Sequence, residues 1–223
     1  MSPLVSLVIP VLADQEAARH LVGQIPLDSR VEIIISGTRH EPGLEALERG
    51  RPDIRVIRTD QGRARQMNAA AGLARGEWLF FLHADSRLPV NWLDAFETAT
   101  APGTVGGWFR FSLDDPAWQA RLIERGVALR VRLFRLPYGD QGLFVRRHTF
   151  GVMGGYREMA LMEDVDFVRR LIRAGSLVEV PLPIATSARR WKRDGWFRRS
   201  ARNLTLLGLY FCGVSPDRLA RWY

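Results

Sequence analysis

The chain has 223 residues, 47% of them apolar and 25% charged, an ordinary globular composition that excludes wholesale disorder and fibrous repeats. A single cysteine cannot form an internal disulfide, and Cys212, inside the apolar stretch 206–214, reads as a small core residue. The formal charge is +8, but 31 of the 32 basic residues are arginine, and no basic tail, zinc-finger spacing or RNA-binding signature accompanies them, so no nucleic-acid partner is expected. Arginine's fixed fork suits phosphate oxygens, which leaves a nucleotide diphosphate and a membrane surface open as partners.

Residues 1–10 lack a basic leader and run straight into Asp14 and Glu16, so they read as a first core strand rather than a signal peptide. Further strands are predicted at 31–35, 54–57 and 78–82, each a nearly continuous apolar run of the kind covered on both sheet faces. Helical patterns fill 15–24, 44–48, 64–74 and 91–99, the third ending before Gly76 as a capping glycine. Strands alternating with helices argue for parallel pairing through crossovers, with a ligand beyond the carboxyl ends of the strands. Beyond residue 100, strands are expected at 105–113, 141–146 and 177–180, and helices at 116–133, 163–174, 195–211 and 216–222. The simplest organisation is one domain, 1–223: a nucleotide-binding half (1–100), a second half (101–194) and closing helices (195–223). The apolar run 204–214 is shorter than the ~20 residues a membrane span needs, so a cytoplasmic protein is expected. Trp196, Ser200, Leu204, Leu207 and Phe211 share one helical stripe, which could lie on anionic lipid but more simply packs on the domain.

Three clusters carry candidate chemistry. His83-Ala84-Asp85 follows the apolar run 78–82, which puts Asp85 at the carboxyl end of a buried strand. A carboxylate there can hold Mg²⁺ or Mn²⁺ against diphosphate oxygens, since both ions favour oxygen donors. Asp85 could equally begin the turn before Pro89. Glu163-Asp164 opens a helix, where acids are favoured by the helix dipole alone, yet two adjacent carboxylates also suit a general base. Arg189-Arg190-Trp191 could clamp a diphosphate and stack a flat ligand, or pair on the surface without one. Asp140 and Gln141, in a tight glycine-flanked turn, are equally compatible with a structural turn.

In order, these pieces resemble a family 2 glycosyltransferase of the GT-A fold, a Rossmann-like, mixed but mostly parallel sheet flanked by helices. The resemblance is carried by Val8-Ile9-Pro10, the run Gly62-Arg63-Ala64-Arg65-Gln66-Met67-Asn68, Leu82-His83-Ala84-Asp85, Gly106-Gly107-Trp108, Gly139-Asp140-Gln141, Gly154-Gly155-Tyr156, Glu163-Asp164 and Ser187-Ala188-Arg189-Arg190-Trp191. The run Gly62-Arg63-Ala64-Arg65-Gln66-Met67-Asn68 and Leu82-His83-Ala84-Asp85 are also similar to a bacterial subgroup associated with arsenosugar biosynthesis.

The resemblance implies a metal-dependent, inverting transfer of a sugar from a nucleoside-diphosphate donor to an unidentified acceptor hydroxyl. Asp85, with His83 in place of the family's first acid, would hold the metal. Asp164, beside Glu163, matches the catalytic base. Pro10, Asp14, Ser36, Arg63, Arg65, His83, Asp85 and Arg190 would face the sugar nucleotide, and Trp108, Asp140, Gln141 and Trp191 the acceptor. Ser36 stands where the family has a base-reading aspartate, and Ala13, Asp14 and Gln15 replace its usual Asn-Glu-Glu. These departures keep a non-catalytic sugar-nucleotide binder open as an alternative. A nucleotidyltransferase is less well supported, because residues 11–14 offer no glycine-rich phosphate cradle.

Overall fold

The four N-terminal apolar runs become strands in the computed structural model, which describes residues 2–223: β1 (Val5–Val11), β2 (Val31–Thr38), β3 (Ile54–Thr59) and β4 (Trp78–Phe81). Helices α1 (Gln15–Gly23) and α2 (Arg63–Leu73), with a 3₁₀ turn at Leu44–Glu48, connect them. All four pair in parallel in the order β3-β2-β1-β4, as apolar strands joined by helical crossovers should. A two-residue strand β5 (Ser86–Arg87) and helix α3 (Trp92–Ala99) follow.

The second half extends the same sheet. It contributes β6 (Thr104–Leu113), α4 (Trp118–Phe134), a 3₁₀ turn at Gly139–Gln141, β7 (Phe144–Arg146), α5 (Arg147–Val152), α6 (Glu163–Ala174) and β8 (Ser176–Thr186). Strand β7 is antiparallel to both β4 and β6, β8 runs parallel to β6, and β5 closes the far edge. The complete order is β3-β2-β1-β4-β7-β6-β8-β5. The chain ends in α7 (Arg189–Asp194), α8 (Trp196–Phe211) and α9 (Pro216–Ala220). Most predicted elements are observed with the expected type, but the strand expected at 141–146 is confined to β7, Gln141 lying in the 3₁₀ turn before it, and β5, α5 and α7 were not anticipated.

Two apolar layers sandwich the sheet. On one face Trp78, Phe80, Phe96, Phe109 and Phe144 form an aromatic stack, with the Phe80 and Phe109 rings parallel at 5.1 Å. On the other face Met67, Phe81, Tyr156 and Phe167 bind α2 and α6 to the strands, with Tyr156 and Phe167 stacked at 4.2 Å. Buried aromatic rings on both faces are the kind of payload that makes a disulfide unnecessary in a chain of this size.

Three local expectations are corrected. Gly76 does not cap α2, which ends at Leu73 with Ala74 extended; a Cβ at Gly76 would lie 2.6 Å from the Ser6 hydroxyl, so glycine is required by close approach to β1. Cys212 is exposed, because α8 stops just before it. On α8 only Leu207 of the predicted stripe is buried; Leu204 and Phe211 face outward. Among the described residues no helix is long and apolar enough to cross a membrane.

Candidate active site

The carboxyl ends of β1 and β4 open into a cavity of about 520 Å³, and the two acids that sequence spacing singled out, Asp85 and Asp164, both line it. Strand β4 ends at Phe81, and the next residues carry His83 and Asp85 over the lip of the sheet. Helix α6 begins at Glu163, so its first turn points Glu163 and Asp164 into the space from the opposite side. The residue that starts this helix, Met162, has φ 68°, a left-handed conformation unusual for a side chain of this kind. Left-handed residues outside glycine cost energy and cluster where a site fixes the backbone.

Asp164 is held by main-chain donors. The amide of Gly139 donates to its Oδ2 at 2.8 Å, and the amide of Val165 donates to Oδ1 at 2.8 Å. Gly139 therefore sits at the centre of the site, and it is bare for a reason. A Cβ there would collide with the Arg63 guanidinium and come within 3.3 Å of both Asp164 Oδ2 and His83 Nε2. The turn that presents Gly139 is braced by Gln141, whose Oε1 accepts from the Tyr138 amide at 3.2 Å and from Arg130 at 3.3 Å.

Arg63, the first residue of α2, ties the two sides together. Its guanidinium pairs with Glu163 at 3.3 Å and donates to Nε2 of His83. Burial works against the charge on Arg63, but Glu163 and Asp164 overcome it and hold the guanidinium firmly protonated. Burial, and after it the same cation, pushes the His83 imidazole well below its ordinary range, so His83 is neutral. Burial raises the Glu163 carboxyl despite Arg63, with Asp164 adding to the rise. Asp85 is also raised, first by burial and then by Asp14, against the pull of Arg190. Asp140 rises furthest, to about 6, through burial and the nearby Asp164 and Asp85 charges. Its Oδ1 is buried without a hydrogen-bond partner.

Of the residues expected at a site, Pro10, Asp14, Arg63, His83, Asp85, Asp140, Glu163, Asp164, Arg190 and Trp191 line this one cavity. Four do not reach it. Ser36 is fully buried in β2 under Gln66, which donates to its carbonyl at 2.8 Å, and its own hydroxyl has no partner. Arg65 turns outward to pair with Glu158 at 2.7 Å. Trp108 is buried on β6 and donates its indole N–H to Glu179 at 3.3 Å. Gln141 is consumed by the turn it braces. Asp14 lies on the rim, paired with Arg189 at 3.0 Å.

Sequence reasoning missed the wall supplied by α8 and the chain end. Arg199, Asn203, Leu206 and Tyr223 all line the cavity, with Arg199 donating to the Tyr223 hydroxyl at 3.1 Å and to Asp194 at 2.7 Å. A buried arginine inside an amphipathic helix was the available signal, but only folding shows which arginine turns inward.

Similar folds identify the architecture. A mannosyltransferase from Pyrobaculum calidifontis, solved in complex with GDP-Man and Mn²⁺, superposes with a TM-score of 0.69 at 17% identity, over 97% of this chain and 67% of that one. S. aureus TarS 1-349, in complex with UDP-GlcNAc, superposes with a TM-score of 0.64 at 11% identity, over 82% of this chain and 58% of that one. The chain thus spans about two thirds or less of these neighbours. No curated protein sequence matches it. The fold is that of GT-A glycosyltransferases, an α/β architecture with a mostly parallel eight-stranded sheet. The family model for glycosyl transferase family 2 matches residues 15–163, and the chain belongs to that family. The match ends at Glu163, one residue before Asp164.

Proposed function

We propose that the chain is a metal-dependent inverting glycosyltransferase, moving a sugar from a nucleoside-diphosphate donor to an acceptor hydroxyl. The single observation that carries this reading is the shared cavity: Asp85 and Asp164 reach it from opposite halves of the fold. Neighbours of the same fold were solved with GDP-Man and Mn²⁺ and with UDP-GlcNAc.

Among the described residues no three His, Cys, Asp or Glu side chains form a ready-made metal cage. Mg²⁺ and comparable hard ions bind through one or two carboxylates completed by substrate phosphates, so such a cage is not needed. The residues present fit that mode. Asp85 enters no ion pair among the described residues, and Asp140 offers a buried oxygen that no protein group satisfies. A divalent cation held there would offset the negative charge of the leaving diphosphate. His83 is a poorer candidate than expected, because its Nε2 already accepts from Arg63.

The remaining steps belong to side chains of this chain. Arg190 stands in the cavity beside Asp85 and steadies the diphosphate. Asp164 takes the proton of the acceptor hydroxyl as that oxygen attacks the anomeric carbon from the face opposite the leaving group. The backbone amides of Gly139 and Val165 orient it for this step. Arg63 pairs with Glu163 at 3.3 Å and so engages the carboxylate next to the base. Trp191, 8% exposed, forms a flat wall on the acceptor side. Ser36, sealed beneath Gln66, does not read the base, so base selection falls to the open rim around Pro10, Leu12 and Asp14.

The test is Asp164→Asn with transfer and donor binding measured together. Loss of general-base catalysis should lower transfer about 10²–10⁴-fold while donor affinity stays within a few-fold. Undiminished transfer would remove Asp164 from the mechanism. Product formation by the unaltered protein from any donor also separates an enzyme from a non-catalytic binder.

A further inference from the structure

We propose that helices α4 and α8 together form a docking face for an anionic lipid bilayer. Fifteen large apolar side chains are exposed among the described residues, and eight of them lie on these two helices. On α4, Trp118, Leu122, Leu129 and Leu133 recur at spacings of four, seven and four, which places them on one helical face, with Phe134 beside them. On α8, Phe197, Leu204 and Phe211 recur every seven residues and form a second line. The two lines meet where Trp118 and Phe197 lie 5.9 Å apart. The opposite faces of the helices are spent on the fold, through Ala120 and Val131 of α4 and Leu206 and Leu207 of α8.

Charge selects the occupant. The two helices carry seven arginines and one acid, Glu124, which turns inward to accept from the Ser112 hydroxyl and the Leu113 amide. Arg125, Arg132 and Arg198 are exposed and enter no ion pair among the described residues. Free arginines bordering an aromatic and leucine stripe match a bilayer whose headgroups are negative and whose interior is apolar. A second copy of the chain would instead bring like charges together across a symmetric contact, which disfavours self-association. The reading does not depend on the catalytic proposal, since it uses neither donor nor acceptor.

The experiment is vesicle sedimentation of the whole chain with phosphatidylcholine alone and with added phosphatidylglycerol, at low and at physiological salt. The unaltered protein should pellet with the anionic vesicles, less so as salt rises, and stay in solution with phosphatidylcholine alone. Each arginine near an anionic surface is worth roughly fivefold in partitioning, so R125Q, R132Q and R198Q combined should weaken pelleting about a hundredfold. L204S with F134S should weaken it at least about tenfold, each lost CH₂ being worth roughly fourfold. All five positions are exposed, and an unchanged melting temperature confirms that both variants fold. The proposal is overturned if the unaltered protein ignores anionic vesicles at low salt, or if both folded variants pellet like it. It is equally overturned if the face proves to hold a dimer that L204S with F134S dissociates, with no vesicle binding.

Discussion

At the scale of single residues, the site stores electrostatic cost. Asp140 is the clearest case, its carboxyl raised to about 6 by burial and by the Asp164 and Asp85 charges. An acid raised above its unfolded value of 3.8 costs the fold stability once pH exceeds about 6, and that cost fades as pH falls toward 4. Asp140→Asn should therefore be more stable than the parent at pH 8, by up to about 3 kcal/mol, from roughly two units at about 1.4 kcal/mol each. Denaturant unfolding of both proteins across pH 4–8 measures the gap; a gap that does not change with pH would refute the assignment. The positions of Asp85 and Asp164 at element ends were legible in the sequence, because a long apolar run and an amphipathic helix fix where those elements stop. Arg63 was legible as a site residue, but its partners His83 and Glu163 were not, since they arrive from elements 20 and 100 residues away. The cover over Ser36 was not legible for a related reason: its strand position follows from the apolar run, but Gln66 reaches it from α2.

At the scale of elements, a buried acid locks the start of the sheet. Glu32 on β2 is 8% exposed at its side chain. Its Oε1 accepts from the Ser6 hydroxyl of β1 at 2.6 Å and from the Arg75 amide at 2.5 Å, and its Oε2 pairs with the Arg75 guanidinium at 2.9 Å. Burial alone would raise this carboxyl, but the donors from Ser6 and Arg75 outweigh it and hold it below its ordinary value. Its contribution is thus present above pH 4.5 and is lost as pH falls below that value. Glu32→Ala leaves several buried donors unpaired and should cost about 3 kcal/mol at pH 7. An unchanged denaturation midpoint would contradict this role. The strands themselves were readable because each is continuously apolar; Glu32 and Gly76 were not, because their pairing joins β1, β2 and the α2–β4 turn, a contact no local pattern encodes. Short elements such as α5 and α7 escaped for the opposite reason, having too few residues to establish a period.

At the scale of the molecule, antiparallel β7 is the hinge of the design. It sits between β4 and β6, so the sheet of the first half continues into the second, and the turn before it delivers Gly139 and Asp140 to the mouth of β4. The closing helices complete the cavity from above through Arg190, Trp191 and Arg199 while α8 turns its other face outward. One chain thereby gathers Asp85, Asp140, Asp164, Arg190 and Trp191 around one space. The direct test is a thermal-shift titration with GDP- and UDP-sugars in the presence of Mn²⁺, run on the parent, Asp85→Ala and Asp164→Asn. Ligand binding to the folded state alone stabilises by about 2.7 kcal/mol at a hundredfold excess over Kd, so a bound donor is readily seen. The parent and Asp164→Asn should both melt higher with at least one donor, and Asp85→Ala should not respond. An equal response from Asp85→Ala would contradict the account.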